Sequence, residues 1–188
     1  MEPESIYYRR RLPRYQPANA TYFITFRLAG SLPRHIIAEL KAERDSEERL
    51  FLKQPVLPDK PVKRYEMQKR YFGKFDALLD SGKTGPLWLG NSSVADLVAE
   101  AIRYRDGKMY DLIAYCIMPN HVHLVFSLLP SVVRPGWSHY VVTNILENLK
   151  WYTALKSNQI LNRSGAFWQH ESYDHVVRDG KELLRIIS

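Results

Sequence analysis

The sequence predicts an α+β fold, in which helices pack against an antiparallel sheet of about four strands. Two observations lead to this prediction. Short segments rich in β-branched and aromatic residues alternate in the way that is typical of half-buried strands. Longer segments between them repeat apolar residues at helical spacing. With 188 residues, 45% hydrophobic and 25% charged, the chain suits one globular domain, which we expect to span residues 1–188.

The first strand is predicted over 21–28, TYFITFRL. Side chains alternate between the two faces of a strand, so one face is predicted to carry four apolar residues: Tyr22, Ile24, Phe26 and Leu28. A helical pattern follows over 34–53. Three prolines, Pro55, Pro58 and Pro61, then predict a loop. A second helical pattern covers 65–79, so residues 34–80 form a predicted helical insertion.

The next helix is predicted over 94–104, with Ser92 or Ser93 as its N-cap. Strands over 110–118 and 121–128 form a predicted hairpin, since the pair Pro119-Asn120 between them favours a tight turn.

A helix is predicted over 141–160, with an apolar stripe of Ile145, Leu149, Tyr152 and Leu155. A fourth strand is predicted over 167–177 and a short helix over 181–187. The order strand, helix, strand, strand, helix, strand is that of the ferredoxin-like split βαβ fold. It predicts a four-stranded antiparallel sheet with helices on one face, plus the inserted helical pair after the first strand.

The net charge is +7, from 27 Lys and Arg against 20 Asp and Glu, which suits a polyanionic partner. Residues 1–20 are predicted to form a basic N-terminal arm. In it, arginines that could bind phosphates alternate with tyrosines that could stack on unpaired bases: Arg9, Arg10, Arg11, Arg14 with Tyr7, Tyr8 and Tyr15. A solvated basic tail explains this segment equally well.

A cytoplasmic location is predicted, because the sequence shows neither a signal peptide nor an apolar run long enough to cross a bilayer. Cys116 is the only cysteine, so no disulfide can form within the chain. Since it lies in an apolar segment, we expect it to pack in the core.

His121 and His123 form a His-x-His pair at the start of the third predicted strand. They share one face of the strand, while Val122 and Leu124 point the other way, into the core. Two adjacent imidazoles can coordinate one divalent metal ion. Zinc is possible, but neither a further cysteine nor an HExxH motif accompanies the pair. Oxygen ligands would complete the site, which favours Mg or Mn and a bound phosphate.

The segment YCIMPNHVHLVF resembles the HUH motif of the single-strand DNA tyrosine transposases of small insertion sequences. Three other segments resemble the REP-associated members of that family: RRRLPRYQPANATYFITFRLAGSLP, LKWYTALKSNQIL and SGAFWQHESYDHVVRD. The resemblance covers most of the chain. It implies a ferredoxin-like fold, a divalent metal on His121 and His123, and single-stranded or hairpin DNA as the partner.

The same resemblance implies that a tyrosine attacks a DNA phosphodiester, which forms a 5′-phosphotyrosine link and releases a 3′-hydroxyl. In the family this tyrosine lies on a late helix, and a polar residue four positions later completes the metal site. The segment KELLRIIS matches the start of that helix. The nucleophile and the third metal ligand are therefore expected beyond Ser188. Within the chain Tyr173 is the fallback nucleophile, and Tyr152, expected in the core, is a distant second.

Further residues are predicted to support the site. Asn120 shapes the hairpin turn and could bond to a ligand histidine. Trp168 and Gln169 are expected to anchor the fourth strand, although Gln169 could instead contact DNA. His170 and His175 could approach the metal, although a structural hydrogen-bonding role is favoured for both. The predicted phosphate contacts, including those of the arm, are Arg9, Arg10, Arg11, Arg14, Lys150 and Arg178.

Two other functions compete with a transposase-like protein. One is a nucleic-acid-binding module whose histidines are structural and bind no metal. The other is a metal-dependent hydrolase of small phosphate esters, ranked last because no carboxylate cluster is predicted near the histidines. The sequence leaves open whether the protein is a monomer or a homodimer.

Overall fold

The computed structural model of the chain describes residues 20–53, 60–82, 84–132 and 141–188. The predicted arm lies outside the described residues except for Ala20. The strands are β1 (Thr21–Leu28), β2 (Tyr110–Ile117), β3 (His121–Leu128) and β4 (Trp168–Val176). The α-helices are α1 (Arg34–Lys53), α2 (Lys60–Asp80), α3 (Ser92–Arg103), α4 (Val141–Ile160) and α5 (Gly180–Ile187). Short 3-10 turns lie at Trp88–Gly90 and Pro130–Val132.

The four strands form one antiparallel sheet in the order β2-β3-β1-β4. Thr25, in the central strand β1, pairs with His123 of β3 on one side and with Tyr173 of β4 on the other. The predicted α+β fold with a ferredoxin-like four-stranded antiparallel sheet is confirmed.

The main core lies between one face of this sheet and helices α3 and α4. The predicted apolar face of β1 is confirmed, because all four of its side chains are buried: Tyr22, Ile24, Phe26 and Leu28. Val122 and Leu124 of β3 join them, together with Val98 of α3 and Leu149 of α4. Each such side chain stabilises the fold by about 1.5–3 kcal/mol through burial. This core fixes which face of β3 is left for the histidines.

Helix α2 packs on the opposite face of the sheet. The Phe72 ring stacks on Tyr173 with centroids 3.7 Å apart and meets Phe23 edge-on at 5.7 Å. The Arg27 guanidinium lies 5.5 Å from the centroid of the Phe75 ring. The predicted insertion therefore supplies a second layer over the sheet face that carries the histidines.

Several predicted boundaries and environments are wrong. Helix α2 begins at Lys60 rather than residue 65, and Pro61 lies in its first turn, where its missing N–H would have no intrahelical partner. Asn91, not Ser92 or Ser93, caps α3, since its side chain accepts from the Val94 N–H at 3.2 Å.

Cys116 is exposed rather than packed in the core. It pairs with His123 across β2 and β3, so it lies on the face opposite the main core, and β2 is an edge strand. Within the described ranges, no helix combines the length and apolar character that crossing a bilayer requires.

Two glycines allow the loop after β1 to meet the loop before α3. Gly85 has φ +78°, and a Cβ there would lie 2.3 Å from the Gly30 carbonyl oxygen and 2.6 Å from the Ser31 Cα. We expect Gly85→Ala to lower the free energy of unfolding by about 2–4 kcal/mol, since backbone strain and a backbone clash add. Urea unfolding measures the loss.

Gly165→Ala is the matched control for this substitution. Gly165 has φ +91° but no heavy atom within 4 Å of a built Cβ. It should lose only the strain contribution, about 1 kcal/mol. Equal losses at both positions would show that the close approach at Gly85 does not contribute.

Candidate metal centre

Two imidazoles converge on the face of the sheet under α2. Strand alternation directs Val122 and Leu124 into the core, where both are 0% exposed, and directs His121 and His123 to the other face. His121 is itself fully buried and His123 is half-buried. Their Nε2 atoms lie 2.9 Å apart. The pair is therefore held side by side on a rigid central strand.

Asn120 fixes the tautomer of His121. The Asn120 Nδ2 donates to the Leu79 carbonyl oxygen at 2.8 Å, which sets the orientation of the amide. The Asn120 Oδ1 then faces the His121 Nδ1 at 2.6 Å. Because an amide oxygen only accepts, His121 carries its proton on Nδ1 and keeps the lone pair of Nε2 directed at the site.

Thr25 is the hydrogen-bond partner of the His123 Nδ1. Its Oγ1 lies 2.8 Å from the His123 Nδ1, and the Phe23 ring stacks on the imidazole with centroids 5.5 Å apart. A hydroxyl can donate or accept, so Thr25 can support either tautomer of His123. Without a cation, His123 donates from Nε2 to the bare Nε2 of His121, which accounts for their 2.9 Å contact.

Two carboxylates from α2 lie close to the Nε2 atoms of the two histidines. The Asp76 Oδ1 lies 3.6 Å from the His123 Nε2, and the Asp80 Oδ1 lies 3.5 Å from the His121 Nε2. Residues four apart share one face of a helix, which explains why both point at the histidines. The Asp76 side chain is three-quarters buried, whereas that of Asp80 is half exposed.

Burial governs the charges in the site. Desolvation, together with the neighbouring His123, lowers the pKa of His121 to about 3. Desolvation also lowers the pKa of His123, although Asp80 opposes that shift. Both imidazoles are therefore neutral at pH 7, and their contacts with the aspartates are not ion pairs. Desolvation and the nearby Asp80 raise the pKa of Asp76 to about 6.

These groups fit a divalent cation. Asp76, His121 and His123 each offer one ligand atom, and the three atoms lie within 4.8 Å of one another. Among the described residues, the buried Asp76 Oδ1 has no hydrogen-bond partner. Neutral imidazoles and a carboxylate are the protonation states that metals require.

Tyr173 lies on the same face of the sheet as the histidines, but β1 separates it from them. Its pairing with Thr25, which also pairs with His123, places the Tyr173 and His123 backbones about 10 Å apart. Its ring is stacked on Phe72. Its role as fallback nucleophile stays a prediction.

His170 and His175 lie outside the metal-ligand group that the described residues form. The His175 Nε2 is 3.3 Å from the Glu182 Oε2, which also accepts from the Arg178 N–H at 2.9 Å. These contacts join β4 to α5. His170 is exposed.

The other predicted residues contact protein groups around β4. Lys150 is 9% exposed, and its Nζ donates to the His170 carbonyl oxygen and the Ser172 Oγ. The Trp168 indole N–H donates to the Thr153 Oγ1, and Gln169 donates to Glu171. Trp168 thus links β4 to α4, whereas the Gln169 bond lies within β4. The anchoring roles of both residues and the DNA contacts of Lys150 and Arg178 stay predictions. Arg9, Arg10, Arg11 and Arg14 lie outside the described residues.

The predicted core position of Tyr152 is wrong. Tyr152 and Leu155 are exposed, by 38% and 45%, and the second half of α4 buries Lys150, Thr153 and Ser157 instead. Lys150 and Thr153 bond there to β4 and to the helix backbone, as Thr153 does with Trp168 and Leu149, whereas the buried Ser157 Oγ has no hydrogen-bond partner among the described residues.

Asp76 and Asp80 are the site residues that sequence reasoning missed. The available signal was their spacing of four residues, with Asp76 in the helix predicted over 65–79 and Asp80 directly after it. That helix belonged to a predicted insertion, and periodicity alone does not tell which sheet face an inserted helix covers. The expectation that no carboxylates lie near the histidines is wrong.

No family model matches the chain, and no curated protein matches it. Among solved structures, the chain is similar to a REP-associated tyrosine transposase bound to a REP hairpin. The match covers 94% of this chain and 67% of that chain, at 11% sequence identity and a TM-score of 0.43.

The raised pKa of Asp76 makes a prediction for the metal-free protein. The folded pKa of about 6 exceeds the ordinary 3.8, so the ionised carboxylate destabilises the fold at pH 7. Its protonation stabilises the fold as the pH falls through 6. Asp76→Asn should therefore raise the free energy of unfolding at pH 7 by about 1–3 kcal/mol. The advantage should shrink towards pH 4.

Urea unfolding in the presence of a chelator, from pH 7.5 to 4, measures this effect. Asp96→Asn, at an exposed position of α3, is the control and should unfold at pH 7 like wild type. An advantage of Asp76→Asn that grows on acidification would contradict the assignment.

Proposed function

We propose that the chain is a transposase-like DNA-processing protein, which binds single-stranded or hairpin DNA and holds one Mg or Mn ion on His121 and His123. The observation that carries the proposal is the convergence of the two Nε2 atoms, 2.9 Å apart, within a group that includes a carboxylate. The HUH-like segment that supplies the pair supports the DNA chemistry.

Charge supports the choice of a nucleic acid as partner. The chain carries a net charge of +7, and arginines and lysines bind DNA chiefly through its phosphates. Arg9, Arg10, Arg11 and Arg14 would make contacts that do not depend on base sequence. Arg178, between β4 and α5, would add one near the sheet face that bears the histidines.

When bound, a divalent cation would polarise the scissile phosphate and offset the charge that develops during displacement. Residues of the chain itself keep the histidine nitrogens available to such a cation. Asn120 keeps the proton of His121 on Nδ1, and the Thr25 Oγ1 can accept a hydrogen bond from the Nδ1–H of His123, so both Nε2 lone pairs are available.

In the proposed strand transfer, a tyrosine hydroxyl attacks the phosphorus and the bond from phosphorus to the 3′-oxygen breaks. The tyrosine loses its proton, the 3′-oxygen gains one, and a 5′-phosphotyrosine link conserves the bond energy. No nucleotide cofactor is needed. The position of Tyr173, across β1 from His123 and stacked on Phe72, argues against it as this nucleophile.

A metal-dependent phosphate-ester hydrolase is the second candidate. It is favoured by Asp76 and Asp80, which bring two carboxylates to within 4 Å of the imidazoles. Either could accept a proton from an attacking water. A DNA-binding module with structural histidines is the third candidate, since the contact between the imidazoles is satisfied without a metal.

Metal binding is the first test. Wild type should bind one Mn²⁺ in calorimetry and in electron paramagnetic resonance. His121→Ala and His123→Ala should each weaken binding by about 100-fold or more, because loss of even an indirect partner of a ligand costs 10–100-fold.

His35→Ala, at an exposed position of α1, is the matched control and should bind Mn²⁺ like wild type. A wild-type protein that binds no Mn²⁺ would eliminate both metal-dependent candidates and leave the DNA-binding module.

Incubation with Mn²⁺ and a 3′-labelled DNA hairpin with a single-stranded flank tests the chemistry. We expect a salt-sensitive complex, and no covalent adduct at Tyr173, because of its position across β1. Electrophoretic mobility and mass spectrometry measure the two results.

Tyr173→Phe and Tyr152→Phe form the matched pair for this experiment. A 5′-phosphotyrosine adduct that Tyr173→Phe abolishes and Tyr152→Phe retains would make Tyr173 the nucleophile. Release of free 5′-phosphate ends with no adduct in any variant would favour the hydrolase.

A further inference from the structure

The position of Asp76 is energetically unfavourable for a carboxylate. Its Oδ1 is buried and accepts no hydrogen bond in the part of the chain that the structure describes. Burial of a charged oxygen without a donor is unfavourable, because the lost hydration is not replaced. The His123 Nε2 lies 3.6 Å from it, too far for a hydrogen bond.

We propose that Asp76 is the third protein ligand of the divalent cation held by His121 and His123. This inference rests on the metal site of the proposed function and adds a ligand to it. One helix and one strand then supply the ligands, whose atoms lie within 4.8 Å of one another. A cation between them would give the Asp76 oxygen the partner that it lacks. The remaining coordination positions would be open to water or a phosphate oxygen.

Asp80 differs from Asp76 in the properties that matter for a ligand. Its side chain is 51% exposed, so water can hydrate the carboxylate. It lies outside the group of atoms that could share one ion. It approaches the His121 Nε2 at 3.5 Å, near the rim of the site. We therefore assign the ligand role to Asp76 alone.

One hydrogen bond holds the C-terminal end of α2 close to the histidines, as the proposed ligand role of Asp76 requires. The Leu79 carbonyl oxygen, between the two aspartates in sequence, accepts from the Asn120 Nδ2. The same amide fixes the His121 tautomer through its Oδ1. One side chain thus positions the helix that carries Asp76 relative to the strand that carries the histidines.

Metal binding and the docking of α2 are consequently linked. A ligand on α2 and two on β3 join the helix to the sheet, where Phe72 already packs on Tyr173 and Phe23. An ion bound to all three would stabilise the docked helix relative to any opened state. Amide exchange over residues 60–80 should report this directly.

Mn²⁺ titration of the full chain tests the assignment, with wild type, Asp76→Asn, Asp80→Asn and Asp96→Asn compared by calorimetry. Asp76→Asn should weaken Mn²⁺ binding by about 100-fold or more. Asp80→Asn should weaken it by less than about 10-fold, since it alters only a solvated charge near the ion. Asp96→Asn should bind like wild type.

Hydrogen exchange supplies the second readout. Mn²⁺ should slow amide exchange over residues 60–80 in wild type and Asp80→Asn, but not in Asp76→Asn. If Asp76→Asn does not fold, Asp76→Glu replaces it. Glutamate retains the carboxylate, so slowed exchange over 60–80 on Mn²⁺ addition supports the ligand role, and unchanged exchange opposes it.

The outcomes separate this inference from the proposed function. Wild-type binding of Mn²⁺ that His121→Ala abolishes and Asp76→Asn leaves intact would overturn the role of Asp76 and keep the metal site. Loss of binding in Asp80→Asn, with Asp76→Asn like wild type, would transfer the role to Asp80. Absence of binding in wild type would remove the metal site itself.

Discussion

The two hydrogen bonds of the Asn120 amide are the constraint on which the candidate site depends. Nδ2 can only donate and Oδ1 can only accept, so the bond to the Leu79 carbonyl oxygen forces the oxygen towards His121. Asn120 is 2% exposed, and a buried amide that lost either partner would be destabilised by about 1–3 kcal/mol. A residue of the β2–β3 turn thereby determines both the protonation of an imidazole and the position of α2.

The two faces of the sheet are stabilised in different ways. One is covered by α3 and α4, largely with apolar side chains whose burial stabilises the fold. The other carries Thr25, Arg27 and the two histidines under α2, so its polar groups need specific partners. Most have them: Arg27 donates to the Ser31 Oγ, and Thr25 bonds to His123. The Asp76 Oδ1 is the described exception on this face, and exceptions of this kind are where function is to be sought.

The strands and the histidine pair could be predicted because their signals are local. Alternation gave the bounds of β1 and β3 to the residue and placed His121 and His123 on the face away from the core. The features that could not be predicted depend on contacts between segments that are distant in sequence. The polar buried face of α4 exists because Trp168 donates to Thr153, and periodicity carries no information about that bond. The place of Asp76 in the site could not be predicted for the same reason, since it depends on where α2 packs on the sheet.

Docking of α2 also governs what the site can do. The four groups differ in exposure from 0% for His121 to 51% for Asp80, so the site opens to solvent on the side of Asp80. A water or a phosphate oxygen can approach there without disturbing the buried imidazoles. In the proposed strand transfer, a tyrosine hydroxyl would have to approach a phosphorus at the same opening, and Tyr173 lies across β1 from His123 with its ring stacked on Phe72. The choice between strand transfer and hydrolysis would therefore depend on which hydroxyl reaches the rim of the site.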